Sequence, residues 1–253
     1  LHLITVSQLS PTSEGNQRTR KYAKEYLKRY IVDEVPPSRQ HGSVEGKVAT
    51  SCFLVLSDMT TNGQLSPITR KGLEHLWSLQ QEDGSWSQWL KCGWPPYESD
   101  DHFGVTLVAL AMSALPAAER STEDAAKGIA GIRNWLRKHP PANLHHKGML
   151  MWISRHWDDF MPEIPVKSWC KEWLSHQRED GGWRLVDLGA GQWRRADDDM
   201  EEHNFVEGDA VVRAGVAPGR ASRKRSSLDA RPRARVEEDC RNAHRSTIPR
   251  ARR

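Results

Sequence analysis

The sequence predicts an all-α protein built from stacked helical hairpins, and three observations carry that reading. Apolar residues recur at helical spacing in successive segments, strand signals are weak throughout, and one heptapeptide is written twice. "QQEDGSW", residues 80–86, returns as "QREDGGW", residues 177–183, with Gln, Glu-Asp, Gly and Trp in register. Each copy closes a helical stretch and opens a loop. The period between copies suits helical-pair repeats, which bury a shared core by stacking.

Taken in order, residues 1–17 read as disordered. "RTRKYAKEYLKRYIVDEV" places Tyr22, Tyr26 and Tyr30 four apart on a short helix stopped by Pro36-Pro37. "SVEGKVATSCFLVLSDM" is an apolar helix with Val48, Cys52, Val55 and Leu56 at helical spacing. "SPITRKGLEHLWSL" starts at Ser66-Pro67, proline being tolerated in a first turn, and carries Ile68, Leu73, Leu76 and Leu79 into the first heptapeptide. A Trp- and Pro-rich loop follows. "HFGVTLVALAMSALP" is apolar nearly all round, as a helix buried on both sides must be. "STEDAAKGIAGIRNWLRKHPP" has a Ser/Thr-x-x-Asp/Glu-like start and a proline stop. Its stretch "AAKGIAGIRNWLRKH" reads as a middle unit without the Gln-Gly-Trp ending. "HHKGMLMWISRHWDDF" and "IPVKSWCKEWLSHQ" complete the series, the latter delivering the second heptapeptide.

Composition divides the chain. All eleven Trp lie between Trp77 and Trp193, whereas residues from Gly219 onward contain no aromatic. That tail holds eleven Arg and one Lys against Asp229, Glu237, Glu238 and Asp239. It exceeds the net +4 of the whole chain, so residues 1–218 are net acidic and the basic balance belongs to the tail. Cys52, Cys92, Cys170 and Cys240 are scattered with no CxxC pair, which disfavours a disulfide framework or a zinc knuckle. No apolar run is long enough to span a membrane, and "LHLITVSQLSPTSEG" lacks the regions of a signal peptide and an initiator Met. The chain therefore reads as a fragment, placed in the cytoplasm.

The heptapeptide has a local physical logic. Asp-Gly supplies a residue that tolerates the left-handed region after a helix. Gln80 and Gln177 can bond open backbone groups of the turn, and the Trp ring can lie over the next helix terminus. A stapled helix end accounts for these residues better than a repeated ligand grip.

With Lys71-Gly72, Leu76-Trp77, Gln80, Gly84 and Trp86, the segment resembles the QW motif of the squalene–hopene and oxidosqualene cyclase family. Val166-Lys167-Ser168, Trp173-Leu174, Gln177, Gly181 and Trp183 resemble it again, and the likeness covers residues 44–203. It implies an α/α toroid of two concentric helix rings, incomplete here because full cyclases hold two such barrels. It also implies an apolar polyprenoid substrate and peripheral membrane association. No metal, no cofactor and no nucleic-acid partner are expected, and the oligomeric state is not indicated.

Squalene–hopene cyclases carry an Asp-x-Asp-Asp motif whose middle Asp protonates an alkene. Here "ESDD" precedes the buried helix, so the resemblance places the acid at Asp100 with Asp101 and Glu98 in support. An alkene is a very weak base, and its acid must stay protonated in an apolar site; burial beside like charges does this. A carbocation wants aromatic faces, each worth about 0.5–2 kcal/mol. Trp86, Trp89, Trp94, Tyr97 and Phe103 are the candidate lining. The bland alternative stays open, because Ser and Asp immediately before a helix also serve as its caps. Two functions follow: proton-initiated polyene cyclisation, an isomerase chemistry, or a non-catalytic repeat scaffold binding an apolar ligand or a partner protein.

Asp197 stands as far beyond Trp183 as Asp100 beyond Trp86, so an acidic loop follows both turns. Beyond the second, no helical stripe continues. Residues 204–253 read as a degenerate, disordered, Arg-rich tail of the kind an out-of-frame GC-rich gene produces. Finally, His145-His146, His156 and Asp158-Asp159 show no ligand spacing and read as solvated loop residues. Cys92 and Cys170 lack the Asp-x-Cys pattern of the prenyltransferase zinc site.

Overall fold

The structure is a computed structural model that describes residues 14–38, 42–86, 101–179, 181–183 and 185–189. Among them all regular structure is helical and no strand occurs. Helix α1 spans Glu14–Leu27 and runs on as a π turn over Lys28–Val32. It thus begins inside the stretch expected to be disordered, with Asn16 already buried and Glu14 suiting the helix dipole. Its packed face is Ala23 and Leu27 rather than a full tyrosine stripe. Tyr26 and Tyr30 are half-buried with rings 4.8 Å apart, whereas Tyr22 is 61% exposed.

Helix α2 (Val44–Asn62) is capped by Ser43, whose side chain accepts from the Gly46 N–H, and ends at Gly63 with φ of +66°. Helix α3 (Pro67–Ser78) starts at Ser66, but the Ser66 hydroxyl does not cap it. Asp58 of α2 does that work from a distance. Its Oδ2 accepts from the Ser66 N–H (2.9 Å) and the Thr69 hydroxyl (2.7 Å), and Lys24 lies 3.5 Å from its Oδ1. Burial raises the Asp58 pKa, but the bonds from Thr69 and Ser66 and the charge of Lys24 outweigh it. The carboxyl sits below its ordinary value.

Helices α4 (Asp101–Ser113), α5 (Ala117–Arg120), α6 (Glu123–Lys138), α7 (Leu144–His156), α8 (Val166–Ser175) and the short α9 (Leu185–Leu188) follow. Every residue of α4 from His102 to Ser113 is buried, as the all-round apolar sequence predicts. Fully burying each of its Val, Leu and Met side chains contributes about 1.5–3 kcal/mol. The capping box expected at α6 does not form, because the Thr122 hydroxyl turns back to the Glu119 carbonyl (3.2 Å). Glu123 and Asp124 in the first turn, with Arg137 and Lys138 in the last, complement its dipole instead.

The helices form two layers. One runs α2, α4, α7 in succession; against these lie α3, α6 and α8, with α3 also touching α6. Each layer-to-layer pair is a hairpin: α2 with α3, α4 with α6, α7 with α8. A single core joins the first two pairs and α7, from Val48 and Cys52 through Val105, Leu107 and Leu110 to Leu150 and Ile153. A smaller cluster of Leu144, Trp183 and Leu188, flanked by Trp173, closes the far end. The loop after α7 is held by Trp157, which packs on Phe160 and lies under the guanidinium groups of Arg120 (4.5 Å) and Arg133 (5.3 Å). No helix among the described residues is long and apolar enough to cross a membrane.

Candidate functional site

The two heptapeptides close identically. In the first, the Gln81 N–H donates to the Ser85 carbonyl (2.8 Å) and the Gly84 N–H to the Gln81 carbonyl (2.9 Å). In the second, Arg178 donates to Gly182 (3.0 Å) and Gly181 to Arg178 (2.9 Å). Both turns need a positive φ, +94° at Gly84 and +82° at Gly181, which glycine adopts without steric cost. The Gln80 side-chain amide donates to the Gly84 carbonyl (3.0 Å), and that of Gln177 to Gly181 (2.8 Å). In the first copy Asp83 adds an acceptor for the Ser85 N–H (2.8 Å) and hydroxyl (2.7 Å).

Both tryptophans are buried, Trp86 in the main core and Trp183 in the cluster that includes Leu188 of the following helix α9. The Trp86 indole donates to the Leu76 carbonyl (3.0 Å) and that of Trp183 to the Trp173 carbonyl (2.8 Å), so each ties the end of its own preceding helix. Each carbonyl lies in the last turn of its helix, where the backbone supplies only a longer bond of 3.2 Å, from Leu79 to Leu76 and from His176 to Trp173, and the indole N–H adds a second donor when the chain doubles back. The bond to the next unit comes from Gln80, which also donates to the Gly128 carbonyl of α6 (3.0 Å).

Helix α6 receives this turn through Gly128 and Gly131. A Cβ at Gly84 would run into the Gly131 carbonyl, and one at Gly128 into the Trp77 ring. Trp173 covers Gly148 of α7 in a comparable way, where a Cβ would stand 2.6 Å from the ring, and its indole donates to the Leu144 carbonyl (2.9 Å). The stretch read as a middle unit without an ending is therefore the platform on which the first turn sits. Sequence reasoning passed over Gly128-x-x-Gly131, although two glycines three apart in a helix are a signal of close approach.

Of the candidate acids, Asp101 is described: it is the first residue of α4 and half-buried. Glu98 and Asp100 lie outside the described residues, as do Trp89, Trp94, Tyr97, Asp197 and the 204–253 tail. Trp86 (1% exposed) and Phe103 (3%) belong to the main core. Behind Asp101 the structure gathers groups that the sequence left apart. His102 of α4 stacks on His146 of α7 with centroids 4.0 Å apart and planes 7° apart. Trp135 meets His102 edge-on at 5.9 Å, and Phe103 faces His145 at 5.9 Å.

His145 and His146 are thus buried in the first turn of α7, not solvated loop residues as expected. The Asn143 cap fixes them: its side chain accepts from the His146 N–H (2.9 Å), which starts the helix and turns both imidazoles inward. His156, Asp158 and Asp159 are exposed and stay apart from them. The head of α4 thus carries Asp101 at its first position, followed by His102 and Phe103, which pack against Trp135, His145 and His146. No group of three or more His, Cys, Asp or Glu among the described residues is arranged to hold a metal. In comparisons with known proteins, no family model, no curated protein and no solved structure matches the chain.

Proposed function

We propose that the chain is an arc of an α/α toroid of the triterpene cyclase class, acting on an apolar polyprenoid by proton-initiated cyclisation. The observation that carries the reading is the pair of QW turns, which close with the same bonds in two hairpins of a two-layer stack. In this reading Asp100 is the acid, and Asp101, at the head of the most buried helix, supports it. Glu98 completes the acidic group, and Trp89, Trp94 and Tyr97 join the lining. The association is peripheral to a membrane.

A second reading, a non-catalytic repeat scaffold, is favoured by a specific observation. Trp86 and Phe103, two of the five aromatics assigned to a carbocation lining, are spent on core packing. The full chain and its Asp100→Asn and Asp101→Asn variants, incubated with squalene and analysed by gas chromatography–mass spectrometry, separate the two. Cyclised product lost in Asp100→Asn supports the enzyme. Unchanged product in that variant removes the assigned acid, and no product from the unmutated chain leaves the scaffold.

A further inference from the structure

A second feature lies away from the head of α4, in an open groove of about 580 Å³ where α1 crosses the junction of α2 and α3. We propose that this groove binds a phosphate-ester group, as a monoester or diphosphate. One wall is a single face of α1, on which Gln17, Arg20, Lys21, Lys24 and Lys28 recur at helical steps. The other wall is Asp58, Thr61 and Asn62 at the end of α2, with Ile68 opening α3. Four cations face the groove against two carboxylates, Glu25 and Asp58.

The two carboxylates do not cancel that field equally. Asp58 is buried and committed to the Ser66 N–H, the Thr69 hydroxyl and Lys24. Glu25 reaches Lys21 at 3.9 Å with both side chains mostly exposed, a pair of little strength that an incoming anion can displace. Lys28 adds an exposed ammonium two turns along from Lys21, outside any ion pair among the described residues. Arg20 is already posed, because its guanidinium donates to the Thr61 hydroxyl at 2.7 Å. A held guanidinium beside the exposed ammonium groups of Lys21 and Lys28 is the donor set that phosphate oxygens select.

Size favours a carried phosphate over a lone ion. The groove falls within the range of about 300–1,000 Å³ typical of small-molecule sites. The inference does not rest on the cyclase reading, since an apolar polyene carries no phosphate.

The test uses the full chain, with inorganic pyrophosphate followed by calorimetric titration and phosphatidylcholine vesicles, with and without phosphatidic acid, followed by co-sedimentation. The variant is Lys21→Gln/Lys28→Gln, and Lys127→Gln/Lys138→Gln on α6 is the charge-matched control. The groove double variant should weaken binding about 25-fold, about fivefold per ammonium, while the control changes it less than about twofold. Saturable pyrophosphate binding assigns the site to a soluble phosphate ester; binding to phosphatidate vesicles alone assigns it to a lipid headgroup. Absence of both, or equal losses in the two double variants, overturns the proposal.

Discussion

Replacing Gly84 by Ala probes how firmly the first heptapeptide seats on its neighbour. Two costs combine at this position. The backbone φ of +94° strains any L side chain, by about 1–2 kcal/mol. The new methyl also meets the backbone of Gly131, which cannot rotate away as a side-chain tip could. Forcing atoms into a filled contact costs about 1–3 kcal/mol, so the total is about 2–5 kcal/mol. Gly63 supplies the control. It has φ of +66° at the end of α2, but a Cβ there meets nothing within 4 Å. Gly63→Ala should therefore lose only the conformational part, about 1–2 kcal/mol. Urea denaturation of the two variants measures the difference, with thermal unfolding as a second probe at about 2–4 °C per kcal/mol. Equal losses would refute the reasoning, since they would mean that the turn does not rest on α6.

Gln80→Ala should cost more than Gln177→Ala, about 1–2 against about 0.5–1 kcal/mol. Gln80 bonds both its own turn and the Gly128 carbonyl of the next helix, and Gln177 only its own turn among the described residues. Asp58→Asn should lose about 2 kcal/mol at neutral pH, one charge-assisted acceptor being lost from a buried site. The folded-state pKa of Asp58 is depressed, so its contribution is present above the unfolded value near about 3.9 and lost as pH falls through the folded one. Unfolding curves of parent and variant at neutral and strongly acidic pH should therefore converge on acidification. Arg133→Ala should lose about 1 kcal/mol, because its guanidinium covers Trp157 and Phe160 and bonds the Asp159 carbonyl. Exposed Arg155→Ala should leave chemical stability unchanged.

The sequence by itself determined the helical class and the longer helices, though not the early start of α1 or the short α5 and α9. The apolar period of Val48, Cys52 and Val55, the uniform apolarity of residues 103–112, and the proline and glycine stops are local signals, and local physics is sufficient for them. The twin heptapeptides likewise fixed two equivalent turns, because a positive-φ glycine and a glutamine amide four residues earlier act within one loop. Only the tertiary structure decided what each turn touches. That Asp58 caps a helix it does not belong to, that Gly128 and Gly131 receive Gln80 and Gly84, and that His102 stacks on His146 are contacts between separate helices. Spacing along the chain carries no information about such pairs. They arise when two layers of helices close on a shared core, because burial of that core sets which faces meet and how nearly backbones approach.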